Sequence, residues 1–127
     1  MNKNKVTNFE VPISDFKKAK DFYGKVFDWE FKDWGDEGFE ARTTASDNDG
    51  HPTEPGGING GFYKRKSPND RPSMVIQTDS IDETIKKIEQ AGGKVTAPKH
   101  KLGEWGFMAD FTDPEGNEFA LWESAKK

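Results

Sequence analysis

The stretch TNFEVPISDFKKAKDFYGKVF, residues 7–27, decides the fold, because it predicts a strand followed at once by an amphipathic helix. The strand is predicted over Thr7–Ile13 and the helix over Phe16–Phe27. Ser14 or Asp15 can cap the start of this helix. Apolar residues recur at every third or fourth helical position, so the predicted inner face comprises Phe16, Ala19, Tyr23, Val26 and Phe27.

Three more strands are predicted before residue 65, at Trp29–Trp34, Phe39–Thr44 and Ile58–Lys64. A loop rich in Asp, Asn, Gly and Pro separates the last two, over residues 45–57. The first half of the chain therefore has the predicted order strand, helix and three strands.

The same order recurs from Ser73. A strand over Ser73–Thr78 precedes a capping box, with Ser80 at the N-cap and Glu83 three residues later. The helix is predicted over Ile81–Ala91, and Gly92 suits a left-handed C-terminal cap. Its predicted inner face comprises Ile81, Thr84, Ile85 and Ile88, and the strands that follow it are Val95–Pro98, Phe107–Thr112 and Glu118–Glu123.

The two halves align with one constant shift, since Ile81 follows Phe16 by 65 residues and Ile88 follows Tyr23 by the same number. Hardly any side chains are identical between the halves, so the repeat is one of pattern. A duplicated βαβββ unit accounts for this pattern, and a coincidence among short strands is the alternative.

Composition narrows the class of function. The 127 residues carry a net charge of −4, which gives no electrostatic footprint for nucleic acid. There is no cysteine, so disulfides and thiolate chemistry are excluded. Apolar runs are too short to span a bilayer, and no apolar signal core follows the first residues, so no membrane association and a cytoplasmic location are predicted.

Four motifs in order resemble the glyoxalase/bleomycin-resistance/dioxygenase (vicinal oxygen chelate, VOC) superfamily. They comprise Asn8–Pro12 continuing into Phe22–Trp29, Gly56–Gly61, Ile88–Val95, and Gly106–Ala109 leading into Asp113–Asn117. The resemblance implies an α+β fold of two tandem βαβββ modules that form a curved mixed sheet around a cleft. It implies a single domain over residues 1–127, with modules over about residues 5–66 and 72–124, and a homodimer.

Metal-using members of this superfamily hold a divalent ion with four residues, usually His and Glu. The resemblance places these positions at Asn8, Gly61, Ser73 and Ala120. Gly and Ala offer no side-chain ligand, and Asn and Ser are poor ligands for such ions. The expectation is therefore a protein of the metal-site-lacking, glyoxalase-like branch, with no cofactor.

Strand alternation predicts which side chains share a face with those four positions. Phe9, Val11, Met74, Ile76, Phe119 and Leu121 are expected on the opposite face, beneath the helices. Close backbone approach is expected at Gly56, Gly57, Gly60 and Gly61, which would widen the cleft. The predicted ligand-binding cleft residues are Asn8, Glu10, Asn59, Tyr63, Ser73, Gln77, Glu118 and Trp122.

The predicted function is binding of a small organic molecule in the cleft without the usual metal. Glu10 is the candidate catalytic residue, because a buried carboxylate could act as a general base. The alternative is a metal-dependent glyoxalase-type lyase or isomerase with displaced ligands, drawn from Glu10, Glu118, Glu40 or His100. Whether the protein is an enzyme is left open by the sequence. For Tyr63 and Trp122, the alternative to a ligand-binding role is that their rings fill a closed core.

Overall fold

A computed structural model describes residues 3–125 of the chain. The described residues form two compact units, one of residues 8–72 and one of residues 73–125 together with residues 3–7. Each unit contains one helix and strands in both parallel and antiparallel pairings, so the predicted mixed α+β class is confirmed. Among the described residues, no helix is both long and apolar enough to cross a membrane.

In the unit of residues 8–72, strand β1 (Val6–Ile13) leads through α1 (Phe16–Phe27) to three further strands. These are β2 (Glu30–Asp33), β3 (Gly38–Arg42) and β4 (Asn59–Lys64). The strand order is β2-β3-β4-β1, with β4 parallel to β1 and the other pairs antiparallel. The helix begins where expected, because the Asp15 carboxylate accepts a hydrogen bond from the Lys18 amide at 3.0 Å.

Aromatic rings form the core of this unit. Phe39 and Phe62 are fully buried and stack with ring centroids 5.0 Å apart. Tyr23 of α1 meets the Phe62 ring edge-on at 4.9 Å. The predicted inner residues Phe9 and Val11 of β1 also pack against this core, so the predicted side of β1 is correct.

The predicted inner face of α1 is too wide. Val26 and Phe27 are 56% and 51% exposed, whereas Phe16, Ala19 and Tyr23 pack on the core. The helix ends at Asp28, whose φ of 62° turns the chain away before the last turn is covered. The apolar periodicity therefore predicts the buried part of the helix correctly and its last turn wrongly.

In the other unit, β5 (Ser73–Gln77) leads through α2 (Ile81–Gln90) to β6 (Lys94–Leu102), β7 (Gly106–Thr112) and β8 (Glu118–Ser124). The strand order is β5-β8-β7-β6, with β5 parallel to β8 and the others antiparallel. The predicted capping box is confirmed on its backbone side, since the Glu83 amide donates to Ser80 Oγ at 3.2 Å. Gly92 has the expected positive φ, at 95°.

A buried carboxylate ties β8 to α2. Glu123 is 5% exposed, and its Oε1 accepts a 2.8 Å hydrogen bond from the amide of Ile81, the first residue of α2. The Lys99 ammonium lies 3.8 Å from the same carboxylate. Ile81, Ala109 and Leu121 form the buried core beside this contact, as the periodicity predicts for Ile81 and Leu121.

Two predictions for this unit are wrong. Strand β6 is predicted to end at Pro98 but continues to Leu102, so it also contains His100. The register of β6 shifts between Val95 and Ala97 and again before His100, and these irregularities carry the strand through Pro98. Met74 is 45% exposed, although strand alternation predicts it beneath a helix.

The repeat of pattern is confirmed as a repeat of structure. Helices α1 and α2 begin at Phe16 and Ile81, 65 residues apart, and each unit has one parallel strand pair. The pairing of Glu10 with Gly61 in the first unit corresponds to the pairing of Val75 with Ala120 in the second. The predicted βαβββ order therefore describes both halves.

Replacing Phe62 by Ala should destabilise the protein by about 3–5 kcal/mol, because its fully buried ring contacts several aromatic neighbours. Urea denaturation measures the free energy of unfolding. The matched control is Phe22→Ala, since Phe22 is 55% exposed and should cost far less. An equal loss in both variants would contradict this account of the core.

The β7–β8 turn predicts a dependence of stability on pH. Hydrogen bonds from the side chain and backbone of Asn117, and from the Glu115 amide, lower the pKa of Asp113 below its usual 3.8. A lowered pKa in the folded state stabilises the protein above the unfolded pKa, and this stabilisation is lost as pH falls through the lowered value. In Asp113→Asn the side chain carries no charge, and its amide group faces the donor of Asn117. The urea midpoints of the wild-type protein and the variant should therefore differ at pH 6 and converge towards pH 2. A constant difference across this range would refute the assignment.

Candidate functional site

The polar face of the first unit is set by strand pairing. Glu10 on β1 and Glu40 on β3 both pair with Gly61 on β4, so the three residues form one row on the same face. Asn8 and Asn59 form the next row, and Tyr63 lies one row further in the opposite direction. The structure thus brings the four predicted residues of this half, Asn8, Glu10, Asn59 and Tyr63, to one face.

Asn59 has a structural role on this face. It is 3% exposed, and its amide nitrogen donates to Ser46 Oγ at 2.7 Å and to the Gly50 carbonyl at 2.9 Å. Its amide oxygen accepts a 2.9 Å hydrogen bond from the Thr43 amide. Both donor hydrogens of Asn59 are therefore already used within the protein.

The row of Glu10, Gly61 and Glu40 carries a residue that the sequence did not single out. Trp34 follows β2, and its indole occupies the space above Gly61, since a Cβ built there would lie 2.5 Å from Trp34 Cη2. Trp34 remains 53% exposed. A glycine at the position opposite two carboxylates was the available signal, because it leaves room for a ring on the strand.

Gly60 and Gly61 have different partners. A Cβ at Gly60 would meet the Phe9 ring at 2.6 Å, and Phe9 belongs to the helix-side core. From the sequence, Gly60 is expected to widen a cleft on the polar face, and this expectation is wrong. At Gly61 the space is occupied by the Trp34 ring. The expected backbone approach is found at Gly60, where a Cβ would lie 2.5 Å from the Phe9 carbonyl oxygen, whereas side chains approach Gly57 and Gly61 and nothing lies within 4 Å at Gly56.

Beside Trp34, Glu40 and Arg42 form an ion pair. Arg42 Nε donates to Glu40 Oε1 at 2.6 Å, and this hydrogen bond raises the pKa of the Arg42 guanidinium. The same guanidinium donates to the carbonyls of Asp47 and Asn48 at 3.3 and 3.4 Å. Glu10 is half-buried, so it lacks the full burial on which its proposed role as a base depends.

In the second unit, the face that corresponds to this one carries the other four predicted residues. Gln77 pairs with Trp122, and Trp122 pairs with Met108 on the far side. A Cβ at Gly106 would lie 2.8 Å from Trp122 Cη2, so this indole also lies against a glycine. Ser73 is half-buried and Glu118 is exposed, with Glu118 Oε2 accepting a hydrogen bond from Thr96 Oγ1 at 3.3 Å.

The residues at the superfamily's metal positions do not fit a divalent ion. Gly61 lies under Trp34, and Ala120 is 1% exposed and pairs with Val75. Neither offers a ligand atom, and Asn8 and Ser73 offer an amide and a hydroxyl. These four positions therefore offer no set of side-chain ligands for such an ion.

The displaced ligands of the alternative hypothesis are not gathered into a group of three within residues 3–125. The group of potential ligands that does form comprises Asp47, Asp49 and His51, whose ligand atoms lie within 4.8 Å of one another. All three side chains are exposed on a loop. Their carboxylates also serve the loop itself, since Asp47 Oδ1 accepts hydrogen bonds from the amides of Asp49 and His51 at 2.9 Å each.

The described residues also enclose a hollow of about 180 Å³ in the second unit. This volume is smaller than the roughly 300–1,000 Å³ that is typical of ligand pockets. It lies beside the start of α2, away from the predicted site residues of this unit, and is lined by Asn4, Thr78, Asp79, Ser80, Glu83, Thr84 and Lys87.

Among known proteins, the chain is 33% identical over 125 residues to the anthracycline biosynthesis protein DnrV of Streptomyces peucetius, covering 90% of this chain and 45% of that protein. It is 26% identical over 124 residues to a putative glyoxylase of Mycobacterium tuberculosis, covering 91% of this chain and 44% of that protein. The chain thus spans less than half the length of these curated relatives.

Solved structures share the fold across nearly the whole chain. A hypothetical protein from Bacillus halodurans matches with a TM-score of 0.68 at 14% identity, covering 99% of this chain and 98% of that one. Methylmalonyl-CoA epimerase of Streptomyces coelicolor matches with a TM-score of 0.65 at 13% identity, covering 97% and 96%. At such identities the likeness establishes the fold.

The sequence model of the Glyoxalase/Bleomycin resistance protein/Dioxygenase superfamily matches residues 5–121. With the βαβββ order in both halves, this match shows that the chain belongs to that superfamily.

Proposed function

We propose that this protein binds a small, flat organic molecule on the polar face of the unit of residues 8–72, by stacking it on Trp34 and without a metal at the superfamily's usual positions. The observation that carries the proposal is an indole seated on Gly61 while 53% exposed. We call this ring and the glycine beneath it the Trp34 shelf.

An exposed indole held against a strand offers an apolar surface to a ligand. Water must be ordered along its apolar surface, and burying such a surface under a ligand recovers roughly 25 cal/mol per Å². The Trp34 amide donates to the Gly38 carbonyl at 3.0 Å, which fixes the backbone from which the ring extends. The ring is thus supported from below and held at its base, and a flat ligand meets a surface already in place.

The surroundings of the Trp34 shelf supply the polar groups that orient a ligand. Glu10 and Glu40 flank Gly61 on the two neighbouring strands, and Tyr63 lies on the same face one row away. An apolar surface with a few convergent polar groups is typical of sites for organic ligands. Aromatic stacking adds about 0.5–1.5 kcal/mol beyond the area buried, with a preference for offset geometry.

One relative supports a flat aromatic ligand. The protein at 33% identity is named for the biosynthesis of anthracyclines, which are aromatic compounds. The residues at the four metal positions also favour binding over the metal-dependent reactions of the superfamily, because none carries an imidazole or carboxylate.

The relative named a putative glyoxylase favours the alternative, a metal-dependent lyase or isomerase. Purified protein should be tested for turnover of the methylglyoxal–glutathione hemithioacetal with added Ni²⁺, Zn²⁺ or Mn²⁺. The proposal expects background rates with every ion. Turnover that depends on an added ion and on Glu10 would replace it with the lyase.

Substituting Trp34 by Ala should weaken binding of a flat aromatic probe by about tenfold or more, since about 1.4 kcal/mol of stacking and burial corresponds to that factor. Isothermal titration with daunorubicin and with 1-pyrenemethanol measures the affinity of the wild-type protein and the variant. At a probe concentration of about 100 Kd, the wild-type protein should also gain about 2.7 kcal/mol of stability.

The matched control for this experiment is Trp105→Ala. Trp105 is 69% exposed on the β6–β7 connection, so this variant removes an exposed indole and keeps both Trp34 and Gly61. Its affinity should equal that of the wild-type protein. Equal losses in both variants, or no binding by the wild-type protein, would rule the site out.

Replacing Gly61 by Ala should displace the Trp34 ring, because the new Cβ would lie 2.5 Å from Cη2 and 3.1 Å from Cζ3. Protein labelled with 5-fluorotryptophan should show a shifted ¹⁹F resonance for Trp34, assigned with Trp34→Phe, and weaker probe binding. Gly24→Ala is the control, since its nearest neighbour lies at 3.4 Å on Phe31. An unmoved Trp34 resonance in the Gly61 variant would show that the glycine does not support the ring.

A further inference from the structure

The segment of residues 46–52, which we call the latched loop, is closed on itself. Ser46 and Pro52 form a β-bridge, and the Asp47 amide donates to the His51 carbonyl at 2.9 Å. The Gly50 amide donates to the Asp47 carbonyl at 3.0 Å. Hydrogen bonds to the Asp47 carboxylate from Asp49 and His51 hold its pKa below the usual range, so the loop contains a carboxylate that stays charged.

Two side chains of the sheet hold the latched loop from below. Asn59, which is 3% exposed, donates to Ser46 Oγ at one end of the loop and to the Gly50 carbonyl near the other. Arg42 donates to the carbonyls of Asp47 and Asn48. A buried amide whose donors would otherwise be unsatisfied makes these contacts costly to break.

The loop is held against the row that carries Trp34. A Cβ at Gly50 would lie 2.5 Å from Glu40 Oε1 and 3.4 Å from Arg42 Nη2. Glu40 pairs directly with Gly61, and Gly61 supports the Trp34 ring. Glu40 and Gly61 are facing positions on paired strands, where Cβ atoms would lie about 4.5–5.5 Å apart. The loop over Glu40 and the indole over Gly61 therefore lie over neighbouring positions of one row.

We infer that the latched loop is a wall of the Trp34 site, which contacts the edge of the stacked molecule and is held in place by Asn59 and Arg42. This inference rests on the proposed function. It assigns Asn59 and Arg42 a positioning role, because their donors bind the loop. A side chain at Gly50 would require the end of the Glu40 side chain or the loop itself to move, since a Cβ there would lie 2.5 Å from Glu40 Oε1.

Gly50 and Gly56 offer a matched pair of substitutions. Both have positive φ, at 86° and 106°, so alanine strains the backbone at each. A Cβ at Gly50 meets Glu40, whereas a Cβ at Gly56 has nothing within 4 Å. The pair therefore separates displacement of the loop from backbone strain.

The experiment measures affinity for 1-pyrenemethanol and amide hydrogen exchange in wild-type protein, Gly50→Ala and Gly56→Ala. We expect binding to slow exchange of the Asp47 and Gly50 amides in the wild-type protein. Gly50→Ala should weaken binding by about tenfold and lose this protection, and Gly56→Ala should stay within about twofold of the wild type. Arg42→Lys keeps the charge and loses the forked contacts to the loop, so it should also weaken binding if Gly50→Ala does not fold.

The outcomes separate the two proposals. If the wild-type protein binds and Trp34→Ala does not, but Gly50→Ala and Arg42→Lys bind as the wild type does, the wall is overturned and the proposed function stands. If Gly50→Ala and Gly56→Ala weaken binding equally, strain explains the effect and the wall is again overturned. If the wild-type protein does not bind the probe, the proposed function fails and the wall fails with it.

Discussion

The parallel pairing of β1 with β4 is the constraint on which the first half of the molecule depends. It sets Glu10 opposite Gly61 and Phe9 opposite Gly60, so the two neighbouring glycines of β4 face opposite sides. Parallel strands need a crossover connection, and α1, β2 and β3 all lie between the two strands in the chain. A shift of one residue in this register would move Phe9 and Val11 to the polar face and Glu10 into the core.

Each of these glycines lies against an aromatic ring, and the two rings have different consequences. The Phe9 ring over Gly60 completes a core in which Phe39 and Phe62 are fully buried, so its packing stabilises the folded protein. Trp34 over Gly61 remains half in water. The same steric device thus produces stability on one side of β4 and an exposed aromatic surface on the other.

Much of the fold could be predicted from the sequence, because periodicity and capping are local signals. The start of α1 after Asp15, the capping box at Ser80 and the alternation of β1 are all decided by residues within a few positions of one another. The extension of β6 to Leu102 could not be predicted, because it depends on pairing with β7 through two register shifts. The exposure of Val26 and Phe27 could not be predicted either, because it depends on what packs against the last turn of α1 in the folded protein.

The candidate site was harder to predict, for a physical reason that Asn59 and Trp34 illustrate. Strand alternation correctly places Asn59 on the polar face, but alternation does not say whether an amide's hydrogen bonds are already used. Three protein groups use those of Asn59, so it binds the loop. Trp34 ends the predicted strand of residues 29–34 and directly follows β2, and its position above Gly61 depends on the pairing of β2 with β3 and of β3 with β4, which the alternation of one strand does not describe.

Polar groups on a sheet face therefore differ in whether their hydrogen bonds are already made within the protein. Asn59 and Arg42 donate hydrogen bonds to one loop. In the other unit, the Glu123 carboxylate accepts a hydrogen bond from the first amide of α2. Such groups are expensive to free, because a buried donor or acceptor without a partner costs about 1–3 kcal/mol. An exposed ring is in the opposite position, since covering it releases water and breaks no hydrogen bond. In a superfamily member whose metal positions hold Asn8, Gly61, Ser73 and Ala120, the proposed binding at this face would therefore draw its free energy from the aromatic surface, and the polar groups around that surface would determine the shape of the site.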